Sequence, residues 1–126
     1  MKKDNKGFSL VELIIVIAIM AVLVGLLAPQ YLKYVHNSKV STDVSNAQEL
    51  ATALNVAFAD GVSMSGALTS APTGVTNITW PTLKATTGTV TANIDDNGVK
   101  TVEVGGLELY PDPKKSTGGY YTALHK

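Results

Sequence analysis

The hydrophobic positions change their spacing along the chain, and the changes mark out its elements. From Phe8 to Ala28 the sequence reads FSLVELIIVIAIMAVLVGLLA, with Ser9 and Glu12 as the only polar residues and no charge from Leu13 onward. A helix of this composition is apolar on every side, which suits burial in lipid or among other helices. At 1.5 Å per residue it spans roughly 30 Å, the thickness of a bilayer core. From Gln30 the pattern becomes mixed. Val40, Val44, Ala47, Ala51, Leu54 and Phe58 follow one another at intervals of 4, 3, 4, 3 and 4. That spacing predicts a helix with one apolar stripe. Lys39, Asp43, Asn46, Glu49 and Asn55 are left to its other surfaces. Asp60-Gly61 supplies the stop. A single helix from Phe8 to Ala59 would measure roughly 78 Å.

Beyond Gly61 the periodicity shortens. Residues 61–82, GVSMSGALTSAPTGVTNITWPT, are rich in Gly, Ser, Thr and Pro and predict a loop holding one short strand. Thr89–Ile94 and Val99–Val104 are β-branched runs on either side of Asp95-Asp96-Asn97-Gly98, a hairpin signal. Leu107–Tyr110 and Tyr120–Leu124 are expected to add two strands, joined by the PDPKKSTGG loop. The expected fold is α+β: a long N-terminal helix whose C-terminal half packs on a small antiparallel β-sheet.

Composition narrows the chemistry. Ten lysines balance ten acidic residues, and arginine and cysteine are absent. Nucleic-acid binders present a basic face, with arginine making forked contacts to phosphate and guanine, so nucleic acid is not expected as the main partner. Without cysteine there is no disulfide, thiolate metal site or cysteine nucleophile. No serine or threonine has a recognisable activating base or nucleophile elbow. No catalytic residue, metal or cofactor is expected. Asp95, Asp96 and Asn97 do not match the spacing of an EF-hand calcium loop and read as a turn. His36 and His125 lack ligand spacing and read as solvent-exposed.

Three readings compete for the N-terminal segment. A secretory signal peptide needs small residues before its cleavage site, after the apolar run. The best candidate, after Ala28, has the large Leu26 two positions before it and Pro29 following. A plain membrane anchor fits the hydropathy but leaves Gly7, Phe8 and Glu12 unexplained. The third reading rests on Gly7-Phe8-Ser9-Leu10-Val11-Glu12, preceded by the basic MKKDNK and followed by the apolar run. This stretch resembles the class III signal of type IV prepilins: a glycine at the cut, an aromatic after it and a glutamate four residues further on. Ser9 stands where the family commonly has threonine, and Pro29 where many pilins carry a proline. The resemblance covers roughly residues 1–35.

The resemblance implies a leader, 1–7, in the cytoplasm; a transmembrane and filament-core helix, 8–29; and an amphipathic half-helix with a globular β head, 30–126. It implies a prepilin peptidase that cuts between Gly7 and Phe8 and N-methylates Phe8. It also implies that Glu12 pairs with the N-terminal amine of a neighbouring subunit. Partners would be further copies in a helical filament, the pilus assembly machinery and, before assembly, the membrane. The C-terminal part would lie outside, first at the inner membrane and then in an extracellular pilus. Gly25 and Pro29 form the expected weak point, because proline removes one helical hydrogen bond and crowds the carbonyl four residues earlier. Phe8, Tyr31, Tyr34 and Phe58 are expected to pack at a junction of helix and head. Many Gram-negative pilins close their C-terminal region with a disulfide, which this chain cannot form; in that respect it resembles Gram-positive pilins or pseudopilins. The expected function is that of a major or minor pilin. The alternatives are a pseudopilin of a type II secretion or competence system, and an anchored binding module that never polymerises.

Overall fold

A computed structural model describes residues 7–126, so residues 1–6, most of the expected leader, lie outside the described residues. In chain order the elements are α1 (Leu10–Ala59), β1 (Gly66–Leu68), β2 (Thr91–Asp95), β3 (Gly98–Val104), β4 (Leu107–Tyr110) and α2 (Tyr120–Leu124). The expected α+β architecture is present. The chain divides into two compact units, one ending at Tyr34 and the other running from Val35 to Lys126.

In the first unit the large apolar side chains from Leu10 to Leu27 are exposed on all sides, as are Leu32, Tyr31 and Tyr34. The most apolar window of α1 has no buried residue. Nothing within this unit covers them, although a helix apolar on every side calls for cover by lipid or by other helices. The helix begins at Leu10, two residues later than expected, because Phe8 and Ser9 are not helical.

In the second unit α1 lies against an antiparallel sheet of order β1-β2-β3-β4. Val40, Ala47, Leu50, Ala51 and Leu54 meet Val90, Ala92, Ile94, Val102, Val104, Leu109 and Tyr120 in one core. The predicted stripe is the buried face, with Val44 and Phe58 at its half-buried margin. Of the four aromatics expected at a junction, only Phe58 packs against this core; Phe8, Tyr31 and Tyr34 are exposed. Each buried valine, leucine or isoleucine of this core contributes on the order of 1.5–3 kcal/mol by leaving water, and each alanine less.

Two bulges adjust the sheet. Asn93 pairs with Thr101 and Ile94 with Val99, so Lys100 is an extra residue on β3. Val102 pairs with Tyr110 and Glu103 with Glu108, so Leu109 is an extra residue on β4. The first lets Val99, Val102 and Val104 all reach the core despite their uneven spacing, and leaves Lys100 exposed. The second turns Leu109 fully inward.

The Asp95–Gly98 hairpin forms as expected. Asp95 Oδ1 accepts the Asn97 N–H at 2.8 Å, an Asx turn. Only Gly98 takes a positive φ, +114°, rather than the two central residues of a primed turn. Asn55 Oδ1, on α1, accepts the Val99 N–H at 2.8 Å. A Cβ at position 98 would stand 2.5 Å from that same oxygen.

Three further expectations are corrected. Tyr120–Leu124 is a helix, not a strand. Its run lacks alternation, Tyr120 is buried and Leu124, four residues on, packs on the same core. Its N-terminal amides are satisfied by a loop carbonyl, with Tyr121 N–H donating to Pro113 O at 2.7 Å. Asp43, assigned to an outer surface, is 2% exposed. His36, expected in solvent, is half-buried with Nε2 2.7 Å from the Leu124 carbonyl.

Replacing Gly98 with alanine combines a positive φ with a clash at Asn55, and should lower stability by about 1–3 kcal/mol. Urea unfolding of the full chain in detergent micelles measures it; an unchanged midpoint would mean that hairpin and helix are not locked at this point.

Candidate functional site

Gly7, Phe8 and Glu12 lie together at the start of α1. Gly7 is exposed in a bend, and the space where its Cβ would lie is empty to 4 Å. Phe8 is 76% exposed. The Gly7–Phe8 bond is therefore outside regular structure and open to approach.

Ser9 and Glu12 then close the helix start upon itself. The Ser9 N–H donates to Glu12 Oε2 at 3.1 Å, and the Glu12 N–H donates to Ser9 Oγ at 3.2 Å. Leu13 N–H donates to Ser9 O at 3.1 Å, the first turn of α1. This is a capping box, with Ser9 as N-cap and Glu12 at the third helical position. Such a cap is worth about 0.5–2 kcal/mol in water, and an amide without a partner costs more where water is scarce. The pattern Ser-x-x-Glu ahead of an apolar run is visible in the sequence; it is the one signal there that identifies Ser9 as more than a neighbour of the glutamate. The box occupies Oε2 and leaves Oε1 outside the reciprocal pair.

Gly25 and Pro29 lie in the same helix, which is unbroken in backbone assignment from Leu10 to Ala59. Pro29 has no N–H for the Gly25 carbonyl, and Gly25 has open space around its Cβ position.

A second polar centre, missed by periodicity, lies in the head. Asp43 Oδ1 accepts the Lys84 N–H at 2.8 Å, and Oδ2 accepts the Ala85 N–H at 2.9 Å. The Tyr120 hydroxyl donates to Oδ2 at 2.5 Å. A buried carboxylate is tolerated when hydrogen bonds replace its lost water, as three donors do here. Burial raises the Tyr120 pKa above its ordinary value, and the hydrogen bond and negative charge of Asp43 push it further the same way. Two residues at the N-terminal end of this helix face also hold the chain's last residues. His36 meets Leu124 O, while Asn37 Nδ2 donates to Lys126 O at 2.8 Å and Oδ1 accepts the Lys126 N–H at 2.7 Å. No sequence pattern announces these pairs, since the partners lie far along the chain. Among the described residues no three His, Asp or Glu side chains gather as a metal site.

The helix with one carboxylate in its first turn is long and apolar enough to cross a membrane, and comparison with known proteins identifies the family. Residues 2–28 match the family model described as the prokaryotic N-terminal methylation motif. A type IV major fimbrial protein FimA of Dichelobacter nodosus is 32% identical over 111 residues, covering 88% of this chain and 65% of that protein. A second FimA of the same organism is 41% identical over 61 residues, 48% of this chain and 39% of its own length. A fimbrial protein of Pseudomonas aeruginosa is 34% identical over 103 residues, 81% of this chain and 67% of its own length. No solved structure matches significantly. The chain belongs to the type IV pilin family. It spans slightly less than two thirds of the first of these relatives.

The tyrosine gives a measurable signature. Because its folded pKa is raised, the neutral phenol's contribution is fully present below the ordinary tyrosine value of roughly 10, and is lost as pH rises beyond it toward the folded value. Urea unfolding of the full chain should therefore show stability falling above about pH 10, with a shallower fall in Tyr120→Phe. Identical slopes for the two proteins would contradict the raised value.

Proposed function

We propose that this chain is a structural subunit, a major or minor pilin, of a type IV pilus filament. The observation that carries the reading is the N-terminal unit itself: an all-round apolar, uncovered helix, with one carboxylate in its first turn and an exposed glycine bond just before it.

In this reading residues 1–7 are a leader retained in the cytoplasm by Lys2, Lys3 and Lys6, in line with the positive-inside bias. Residues 8–29 cross the membrane and residues 30–126 stand outside. Prepilin peptidase cuts at Gly7, where the missing side chain and permissive backbone favour entry into a protease cleft. N-methylation of Phe8 keeps a basic amine there. Loss of the leader removes the charged group that holds the helix in place, and the assembly machinery draws the subunit from the membrane into an extracellular filament.

Glu12 supplies the register. A charge in hydrocarbon costs about 2.5–3.5 kcal/mol at mid-bilayer and less near the end of the span where Glu12 lies, and a partner is favoured there too. The α-amine of a neighbour, with a pKa near 7.7–8.0, is mostly protonated at neutral pH. At about 4 Å and an effective dielectric of about 20, the attraction is roughly 4 kcal/mol before desolvation, larger than the cap. The two need not compete, because the cap uses Oε2 and Oε1 can face the amine. Gly25 and Pro29 form the yielding point, where the helix kinks in the membrane or melts when the filament assembles or stretches.

Mass spectrometry of filaments sheared from the cell surface tests the reading. The expected result is an abundant peptide starting at N-methylated Phe8. A processed peptide confined to the envelope fraction would favour a pseudopilin, and a protein still starting at Met1 would overturn the prepilin reading. Glu12→Ala should leave membrane insertion intact and strongly reduce filament yield, and a normal yield would remove Glu12 from assembly. Gly7→Phe should accumulate as uncut, membrane-bound precursor.

A further inference from the structure

We infer that residues 120–126 form a strap that clamps the segment of α1 from His36 to Asp43 in helical form, so that unwinding begun at Gly25–Pro29 stops before it reaches the core of the head. The inference rests on the reading of Gly25–Pro29 as the yielding point.

The start of the strap meets α1 at Asp43, and its end meets α1 at the adjacent His36 and Asn37. Asp43 takes the Tyr120 hydroxyl, His36 lies against the Leu124 carbonyl and Asn37 takes both backbone groups of Lys126. All three anchors on α1 are side chains, because the backbone groups of a helix interior bond one another. Val40, fully buried, lies between them on α1. The strap is itself helical from Tyr120 to Leu124, with Ala123 N–H on Gly119 O and His125 N–H on Tyr121 O, each 2.9 Å. Tyr121 and His125 stack along it, and Lys114 stands over the Tyr121 ring. It is anchored independently, to the sheet through the bridge from Glu108 to Gly119 and to the loop after β4 through the Pro113 carbonyl.

Geometry makes this arrangement a clamp. Between Asn37 and Asp43 a helix rises about 9 Å, whereas an extended chain would cover about 20 Å. A strap that is largely helical and fixed to the sheet matches only the shorter span. Unwinding α1 between the anchors would break the Asp43 or the Asn37 end. Asp43 is the firmer end, since its carboxylate is buried and also bonded to Lys84 and Ala85. The Asn37 end is more exposed and yields first.

Hydrogen exchange read by mass spectrometry on the full chain in detergent micelles tests the clamp without requiring a filament. The double variant Asn37→Ala/Tyr120→Phe removes both ends while keeping the aromatic ring in the core. Amides of residues 36–43 and 120–126 should exchange together, about tenfold faster than in the parent, with β2 and β3 unchanged. Faster exchange at 120–126 with 36–43 at parental protection would overturn the inference. Parental protection at 120–126 would overturn it too, since these anchors would then not hold the strap. If β2 and β3 also lose protection, the single variant Asn37→Ala decides by the same comparison. Exchange over Leu23–Tyr31 in the parent reads the yielding point separately: uniform slow exchange there would refute that point, while the clamp is still read at 36–43.

Discussion

One helix carries two surface patterns, and the rest of the molecule follows from that constraint. Its N-terminal stretch is apolar all round and free of charge after Glu12, a pattern suited to hydrocarbon, where a backbone can satisfy its polar groups only within itself. The ends of such a helix are its difficulty, because first-turn amides have no partner inside it. Ser9 and Glu12 answer that locally by capping each other. The same helix must present only one apolar face once it meets the sheet. The stripe from Val40 to Phe58 does so, with Ala47, Ala51 and Ala57 on the buried side.

The features legible in the sequence are those set by neighbours along the chain. The apolar run, the stripe of α1, its stop before Gly61 and the hairpin at Asp95–Gly98 all depend on residues within a few positions of one another. The illegible ones depend on distant partners. Asp43 looks like a surface residue of an amphipathic helix until the amides of Lys84 and Ala85 and the hydroxyl of Tyr120 are brought to it. His36 and Asn37 acquire their roles only when residues 124–126 return to the helix. Tyr120–Leu124 carries strand-forming tyrosines, but a helix places Tyr120 and Leu124 on one side, and that packing prevails over propensity. The Ser9–Glu12 box is the exception: it is local, and its signature lies open in the sequence.

A chain without cysteine has to tie its C-terminal region by other means. Here a single carboxylate gathers a helix, a loop and the terminal segment. Buried ionic groups add less net stability than their number suggests, because desolvation offsets much of the attraction. Their directionality is the gain: Asp43 accepts from three donors of fixed position, and a hydrophobic residue of similar size would fill the space without specifying which loop amides lie beside it.

The two bulges have a consequence for how the sheet tolerates changes in length. Lys100 is the odd residue between Val99 and Val102, which both reach the core although three positions apart. Deleting Lys100 would bring these valines to a spacing of two, the repeat of an unbulged strand, with both still inward. Deleting a paired residue on the sheet side of Val102 would instead turn the remainder of β3 inside out. The bulge thus acts as a length buffer, a place where one residue can be lost while every later side chain keeps its face.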